Sequence, residues 1–281
     1  MKLLRHGPKG QEKPGMLDGA GRIRDLSGII DDLTGDALSD VGLARLRALD
    51  VEALPLVGGT PRLGPCVAGT GQFLAIGLNY RDHAAETKSR VPTEPMLFTK
   101  SIYCICGPDD PVIKPRGSIK LDWEAELGVI IGKDGKYIDE ADAFDHVAGY
   151  CVVNDVSERH FQKEREGQFV KGKSADNFGP IGPWLVTRDE VPDPQNLKVW
   201  LEVDGQRRQD GTTADMIFGV RFLVSYLSQF MRLRAGDIIT TGTPAGVGAG
   251  MEPETYLEPG QRIRLGVEGL GEQNQLVVAD D

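Results

Sequence analysis

From residue 69 onward the chain is a succession of short apolar runs, each closed by Gly, Pro, Asn or Asp. Phe73–Leu78, Leu127–Ile131, Val147–Val153, Val199–Val203, Ile238–Thr241, Ile263–Val267 and Leu276–Val278 have the length and apolar, β-branched content of strands. Strands this short are stable only when paired into sheets that share a core. They do not alternate regularly with helices, which argues against a doubly wound parallel sheet. The spacing predicts one substantial helix from Ala214 to Phe230, with Ile217, Val220, Leu223, Leu227 and Phe230 on one stripe that reads as core. The expected class is α+β, mainly β.

Residues 1–68 read as a small N-terminal α+β domain, and residues 69–281 as the larger one. In the first, Gly15–Leu17 and Ile23–Leu26 are expected to pair around the turn Asp18-Gly19-Ala20-Gly21. Leu43, Leu46 and Leu49 give Leu38–Leu49 a helical period, and the Pro/Gly-rich stretch Gly58–Pro65 reads as a linker.

The net charge of −10 argues against a nucleic-acid-binding face. No stretch approaches the ~20 apolar residues of a membrane span, and the apolar run at the N-terminus is too short for a secretion signal. Cys66, Cys104, Cys106 and Cys151 form no CxxC pair and read as small buried hydrophobes in a reducing compartment. The cytoplasm is the expected location.

Two glycine-rich patterns invite nucleotide readings. Gly167-Gln168-Phe169-Val170-Lys171-Gly172-Lys173-Ser174 satisfies the phosphate-loop pattern. That loop works only when a strand precedes it and a helix follows, so that aligned N–H groups meet the phosphate. Here charged Glu164-Arg165-Glu166 precedes it, and Gly179, Pro180, Gly182 and Pro183 follow. The run from Gly242 to Gly250 leads into Met251-Glu252-Pro253-Glu254, not a convincing helix, so a dinucleotide fold is not expected. A glycine loop closing over a site remains plausible, because glycine allows close backbone approach.

Glu124 and Glu126 lie two apart at the entry to the Leu127–Ile131 run. If the strand reaches back through them, both carboxylates share a face, where they repel unless a cation lies between. Asp155 closes another apolar run and is placed to complete an all-oxygen set for a hard divalent ion. Spacing alone fits equally well with a solvated charged edge. His83 and Glu86 are three apart in a stretch of helical propensity, where a carboxylate can orient an imidazole as a general base. Such a pair also occurs as surface decoration. Arg159 and Gln162 repeat the spacing beyond Asp155, and Lys173 follows. They could hold a carboxylate and an enolate, or be solvated side chains.

Taken together, these segments resemble the successive signatures of the fumarylacetoacetate hydrolase family. They are Ile76–Glu86, Asp122–Val129, Asn154–Arg159 with Gln162, Gly172–Ser174 and Thr241–Gly248, in the family's order. The resemblance implies a mixed β-roll, usually a homodimer, and a Mg²⁺ or Mn²⁺ site. It implies that Glu124, Glu126 and Asp155 ligate the metal and that His83 and Glu86 activate water. It further implies that Lys173, Arg159, Gln162 and Thr243 line the substrate pocket, under a lid from Ala85 to Pro95. A fourth acidic ligand of the mammalian enzyme, seven residues before its histidine, corresponds here to Ile76, so three protein ligands are expected. The segment Met1–Gly15 resembles bacterial members that hydrolyse 2,4-diketo-3-deoxy-fuconate or -rhamnonate, some relatives being labelled ureidoglycolate lyase. The implied activity is metal-dependent hydrolysis of a C–C bond in an acylpyruvate, a small anionic 2-keto acid. Lyase, decarboxylase or isomerase chemistry is the alternative.

Overall fold

In the computed structural model, which describes residues 1–280, most of the apolar runs become strands of one long mixed sheet. Its order is Ile23–Asp25, Lys13–Leu17, Lys2–His6, Gly179–Thr187, Val147–Asn154, Ala125–Ile131, Ile238–Thr240, Phe73–Gly77 and Met96–Lys100. The short Ile105–Cys106 strand pairs in parallel with Gly179–Thr187. A five-stranded sheet packs against it, ordered Gln206–Thr212, Lys198–Val203, Arg262–Val267, Gly271–Ala279 and Val112–Lys114. Ala125–Ile131 and Val147–Asn154 are buried along their whole length, as strands covered on both faces must be, and their residues are correspondingly apolar.

The N-terminal strands extend the main sheet. Leu3 stands opposite Leu185 and Lys2 opposite Val186. Leu3, Leu26, Leu38, Leu43 and Leu46 belong to the same buried apolar cluster as Leu127, Val153 and Leu223. The expected hairpin around Asp18 forms, pairing Gly15 with Asp25 and Leu17 with Ile23.

Two expectations need correction. The predicted Ala214–Phe230 helix starts only at Val220, with Thr213–Asp215 a separate single turn. Gly219 is extended at the helix N-cap, and Asn79 ties down the preceding segment by accepting from the Phe218 N–H and donating to the Phe218 carbonyl. Phe230, placed on the core stripe by its spacing, is exposed, whereas Val220, Leu223 and Leu227 are buried. The second is an omission: the central strand Gly179–Thr187, which carries Pro180 and Pro183, is absent from the strands expected from the sequence. Its pairing with Val147–Asn154 shifts register between Tyr150 and Val152, and such an irregularity is where a sheet accommodates proline. Among the described residues no helix is long and apolar enough to cross a membrane.

Gly149 shows how tightly this centre is packed. A Cβ there would meet the Val186 carbonyl oxygen at 2.1 Å and the Thr187 Cα at 2.9 Å. Both obstacles are backbone and cannot rotate away. Gly149→Ala should therefore lower stability by about 1–3 kcal/mol, the usual cost of overpacking a core. A thermal or urea melt of the purified variant checks this; an unchanged midpoint would contradict it.

Candidate active site

Antiparallel pairing of the two most buried strands sets Val153 opposite Glu126 and Asn154 opposite Ala125. The Asp155 N–H then donates to the Glu124 carbonyl at 2.9 Å, so Asp155 and the two glutamates meet at the same strand ends. Glu124 immediately precedes the Ala125–Ile131 strand and Glu126 is its second residue, and both line the same cavity. The three carboxylates are 5%, 1% and 1% exposed, so this is not a solvated edge. One oxygen from each lies within 4.8 Å of the others.

Burial of like charges is offset by cations from three other segments. Lys173, ending the Val170–Lys173 turn, donates to Glu124 Oε2 and Asp155 Oδ2, both at 2.7 Å. Lys100, ending Met96–Lys100, donates to Asp155 Oδ1 at 2.5 Å. Arg159 Nε donates to Asp122 Oδ2 at 2.8 Å, its Nη2 lies 2.7 Å from Glu124 Oε1, and Nη1 donates to Gln162 Oε1 at 3.2 Å. Burial alone would raise the Glu124 carboxyl, but Lys173 and Arg159 outweigh it and hold the group well below the usual range. Glu126 goes the other way. Burial first, then Asp155 and Glu124, push its carboxyl well above the usual range. Among the described residues, Thr240 Oγ1 at 2.5 Å and the Gly242 N–H at 2.8 Å donate to it, both to Oε2.

This donor set fits a hard divalent cation. It is all oxygen, and with the three carboxylates ionised and Arg159 set against Asp122, the trio with Lys100 and Lys173 carries one net negative charge. A Mg²⁺- or Mn²⁺-like ion at ~2.1 Å in octahedral geometry sets neighbouring ligand oxygens ~3 Å apart, so the trio, within 4.8 Å of one another, would draw in by up to about 2 Å on binding it.

His83 and Glu86 lie on the Arg81–Glu86 helix, with His83 Nδ1 3.2 Å from Glu86 Oε2. The glycine run presses against this helix. The Gly246 N–H donates to Glu86 Oε1 at 2.9 Å and the Ala245 N–H to Asp82 Oδ2 at 3.2 Å. Thr243 donates to the Ala125 carbonyl and accepts from Gln209 Nε2. Glu124, Glu126, His83, Arg159, Gln162, Lys173 and Thr243 all line one small cavity of about 40 Å³. Ile76, Leu78, Phe98 and Phe169 form its apolar wall. Leu78 holds a left-handed backbone at φ 52°, a conformation that a branched side chain adopts at a cost and that recurs at functional sites. A larger open groove of about 670 Å³, lined by residues between Ile29 and Arg45, contains none of the site residues.

Of the candidate site residues, seven line this cavity, Asp155 is tied to it through Lys173, and Glu86 stands behind His83. Sequence reasoning missed Lys100, Asp122, Asn154 and Gln209. Asp122 stood in the acidic block, but nothing local marks it as an acceptor for Arg159. Lys100 ends an unrecognised strand. Asn154 accepts from the Glu124 N–H, and Gln209 accepts from the Ala125 N–H, from a strand too polar to be read as one.

The phosphate-loop pattern has no cradle. Val170–Lys173 is a single turn, Ser174 follows it outside any helix, and Lys173 is committed to two carboxylates. Calorimetric titration with ATP should show no saturable binding; tight binding that is lost in Lys173→Ala would overturn this.

Comparison with known proteins agrees with the geometry. The sequence profile of the fumarylacetoacetate (FAA) hydrolase C-terminal family matches residues 72–278. A Burkholderia multivorans protein provisionally designated a hydrolase is 64% identical over 99% of both chains. The crystal structure of maleylpyruvate hydrolase from Sphingobium sp. SYK-6, in complex with manganese(II) and pyruvate, is 27% identical and superposes over the full length of both chains with a TM-score of 0.82. The 5-carboxymethyl-2-hydroxymuconate delta-isomerase from Mycobacterium smegmatis is 29% identical, again over the full length of both, with a TM-score of 0.77. By fold, site and sequence, the chain belongs to the fumarylacetoacetate hydrolase family of enzymes.

Proposed function

We propose that this protein hydrolyses a carbon–carbon bond in an acylpyruvate-type 2,4-diketo acid and releases pyruvate. The observation that carries the reading is the buried trio Glu124, Glu126 and Asp155, ringed by Lys173, Lys100 and Arg159, with His83 lining the cavity beside the two glutamates and Glu86 behind it on its Nδ1. A divalent ion held by the trio, Mg²⁺ or Mn²⁺, would supply Lewis acidity toward the 2-keto and carboxylate oxygens. It would also change the local excess of one negative charge to one positive, which suits a small anionic substrate. The maleylpyruvate hydrolase structure, with manganese and pyruvate, supports both choices by analogy.

Each residue then has a role. Glu86 orients His83, which takes a proton from water as the oxygen attacks the C4 carbonyl. As C3–C4 breaks, the acyl fragment leaves as a carboxylic acid and the electron pair passes to the pyruvate fragment. Lys173 stabilises the negative charge developing there, and C3 takes up a proton. Arg159, Gln162 and Thr243, which line the cavity, position the substrate. The cavity, about 40 Å³, is smaller than such a substrate, and in this reading the Ala85–Pro95 segment, the lid that the resemblance implies, opens to admit it. The resemblance of the N-terminal segment supports a sugar-derived acyl part, as in 2,4-diketo-3-deoxy-fuconate, and a place in carbohydrate breakdown. The working unit in this reading is a cytoplasmic homodimer.

The isomerase among the structural relatives favours a second reading, in which the enolate-stabilising groups act without water attack. Isomerase, decarboxylase and ureidoglycolate-type lyase activities fall in this class. The two separate on His83. In His83→Ala, acylpyruvate hydrolysis should fall by about 10² or more, the loss expected for a general base. Any oxaloacetate decarboxylation, which needs no attacking water, should fall much less. Pyruvate release from both substrates gives the ratio. An equal loss of both would assign His83 to a shared step, and no loss of either would remove the hydrolytic mechanism.

A further inference from the structure

Asp122 takes no part in this chemistry, yet it is fully buried and collects four donors. Its Oδ1 accepts from the backbone N–H groups of Trp123 at 2.8 Å and Gly248 at 2.7 Å. Its Oδ2 accepts from the Ala249 N–H at 3.0 Å and from Arg159 Nε at 2.8 Å. Two of these donors belong to the glycine loop and one to the substrate-side arginine. The same loop, two residues earlier, donates from Gly246 to Glu86 and accepts at the Gly246 carbonyl from Trp123 Nε1 at 3.0 Å. Asp122 and Trp123 therefore grip one side of the loop while Asp82 and Glu86 grip the other.

The loop can be gripped this way only because it is glycine-rich. A Cβ at Gly246, whose φ is 103°, would meet the Arg208 carbonyl oxygen at 2.0 Å. One at Gly248 would meet the Thr255 oxygen at 1.9 Å and Asp122 Oδ1 at 2.7 Å, and one at Gly250 would meet Glu86 Cδ at 2.3 Å. The backbone is pressed into a slot between Asp122 and the His83 helix, and its N–H groups face carboxylates on both sides.

We propose that Asp122 is a positioning residue: it latches the Ala245–Gly250 loop, and through the Gly246 N–H it holds Glu86 in register with His83, while its second oxygen aims Arg159. The inference rests on the assignment of His83 and Glu86 as the water-activating pair. It adds that the pair is competent only while the loop is seated. Charge-assisted bonds suit this task, since they are stronger than neutral ones and directional.

The test combines turnover with amide exchange. In either orientation of its amide, Asn at 122 sets an NH₂ group against two donors, so Asp122→Asn should free the loop. With Mn²⁺-loaded enzyme and 2,4-dioxopentanoate as acylpyruvate, kcat should fall by about 10–100-fold, the range for misplaced catalytic groups. Mn²⁺ binding should be kept. The Arg159 contact should be felt in KM, because Arg159 positions the substrate; in kcat Asp122 acts through Glu86, so the double variant Asp122→Asn/Glu86→Gln should match Glu86→Gln alone to within about twofold. A structural role alone would make the two losses multiply. Multiplying losses, or an unchanged kcat in Asp122→Asn, overturn the proposal. Hydrogen exchange on the wild-type protein decides independently of activity and of whether the variant folds. The Gly246, Gly248 and Ala249 amides should be protected and should open together. Exchange at the rates of unprotected loop amides would overturn the latch, whereas absence of turnover with protected amides would count only against the functional reading.

Discussion

Three carboxylates meet at the ends of two buried strands, within 4.8 Å of one another and almost out of contact with water. Removing an ion from water costs several kcal/mol even after relaxation, and like charges at this distance repel. Nothing on these two strands offsets this. The compensation arrives from Lys100 at the far edge strand, Lys173 on a one-turn helix and Arg159 after Asp155. Each must fold into place for the others to be tolerated. Even then, among the described residues, Glu126 is left beside Asp155 and Glu124 with two donors, which is the local imbalance a divalent ion corrects.

Beneath the charges lies a layer of buried amides that joins the two sheets. Asn154 donates to Gln275 Oε1 at 3.0 Å, and Gln275 in turn donates to Gln273 Oε1 at 2.7 Å. Gln273 donates to the Val152 carbonyl, and Gln209 reaches both Ala125 and Thr243. Buried amides of this kind cost stability unless fully paired, and when paired they fix a unique register. Here they fix the register of the strands that carry Glu124, Glu126 and Asp155. The ligand geometry is therefore set by the contact between sheets as well as by the strands themselves.

Much of this site was legible because its signals are local. Glu124 and Glu126 obey the two-residue period of a strand, and His83 and Glu86 the three-residue spacing of a helix; both relations survive in the fold. The phosphate-loop pattern was set aside on local grounds, and its lysine bonds Glu124 and Asp155. What escaped depends on distant pairing. Gly179–Thr187, with Pro180 and Pro183, is absent from the strands expected from the sequence, yet a register shift against Val147–Asn154 makes it a central strand. The helix boundary at Val220 is set from 140 positions away, where Asn79 holds the Phe218 backbone. Asp122 gains its significance only when the glycine loop folds over it, and no spacing rule connects positions 122 and 248.

The claim on which the rest depends is that the trio acts as a single divalent-cation site. The most direct measurement is calorimetric titration of the metal-stripped protein with Mn²⁺, in the wild type and in Glu126→Gln, with melting curves to establish that both are folded. Glu126→Gln keeps the size of the side chain and removes the charge. The account requires one Mn²⁺ per chain in the wild type and loss of that binding in the variant. Equal affinity in the two proteins, or no binding in the folded wild type, would contradict it.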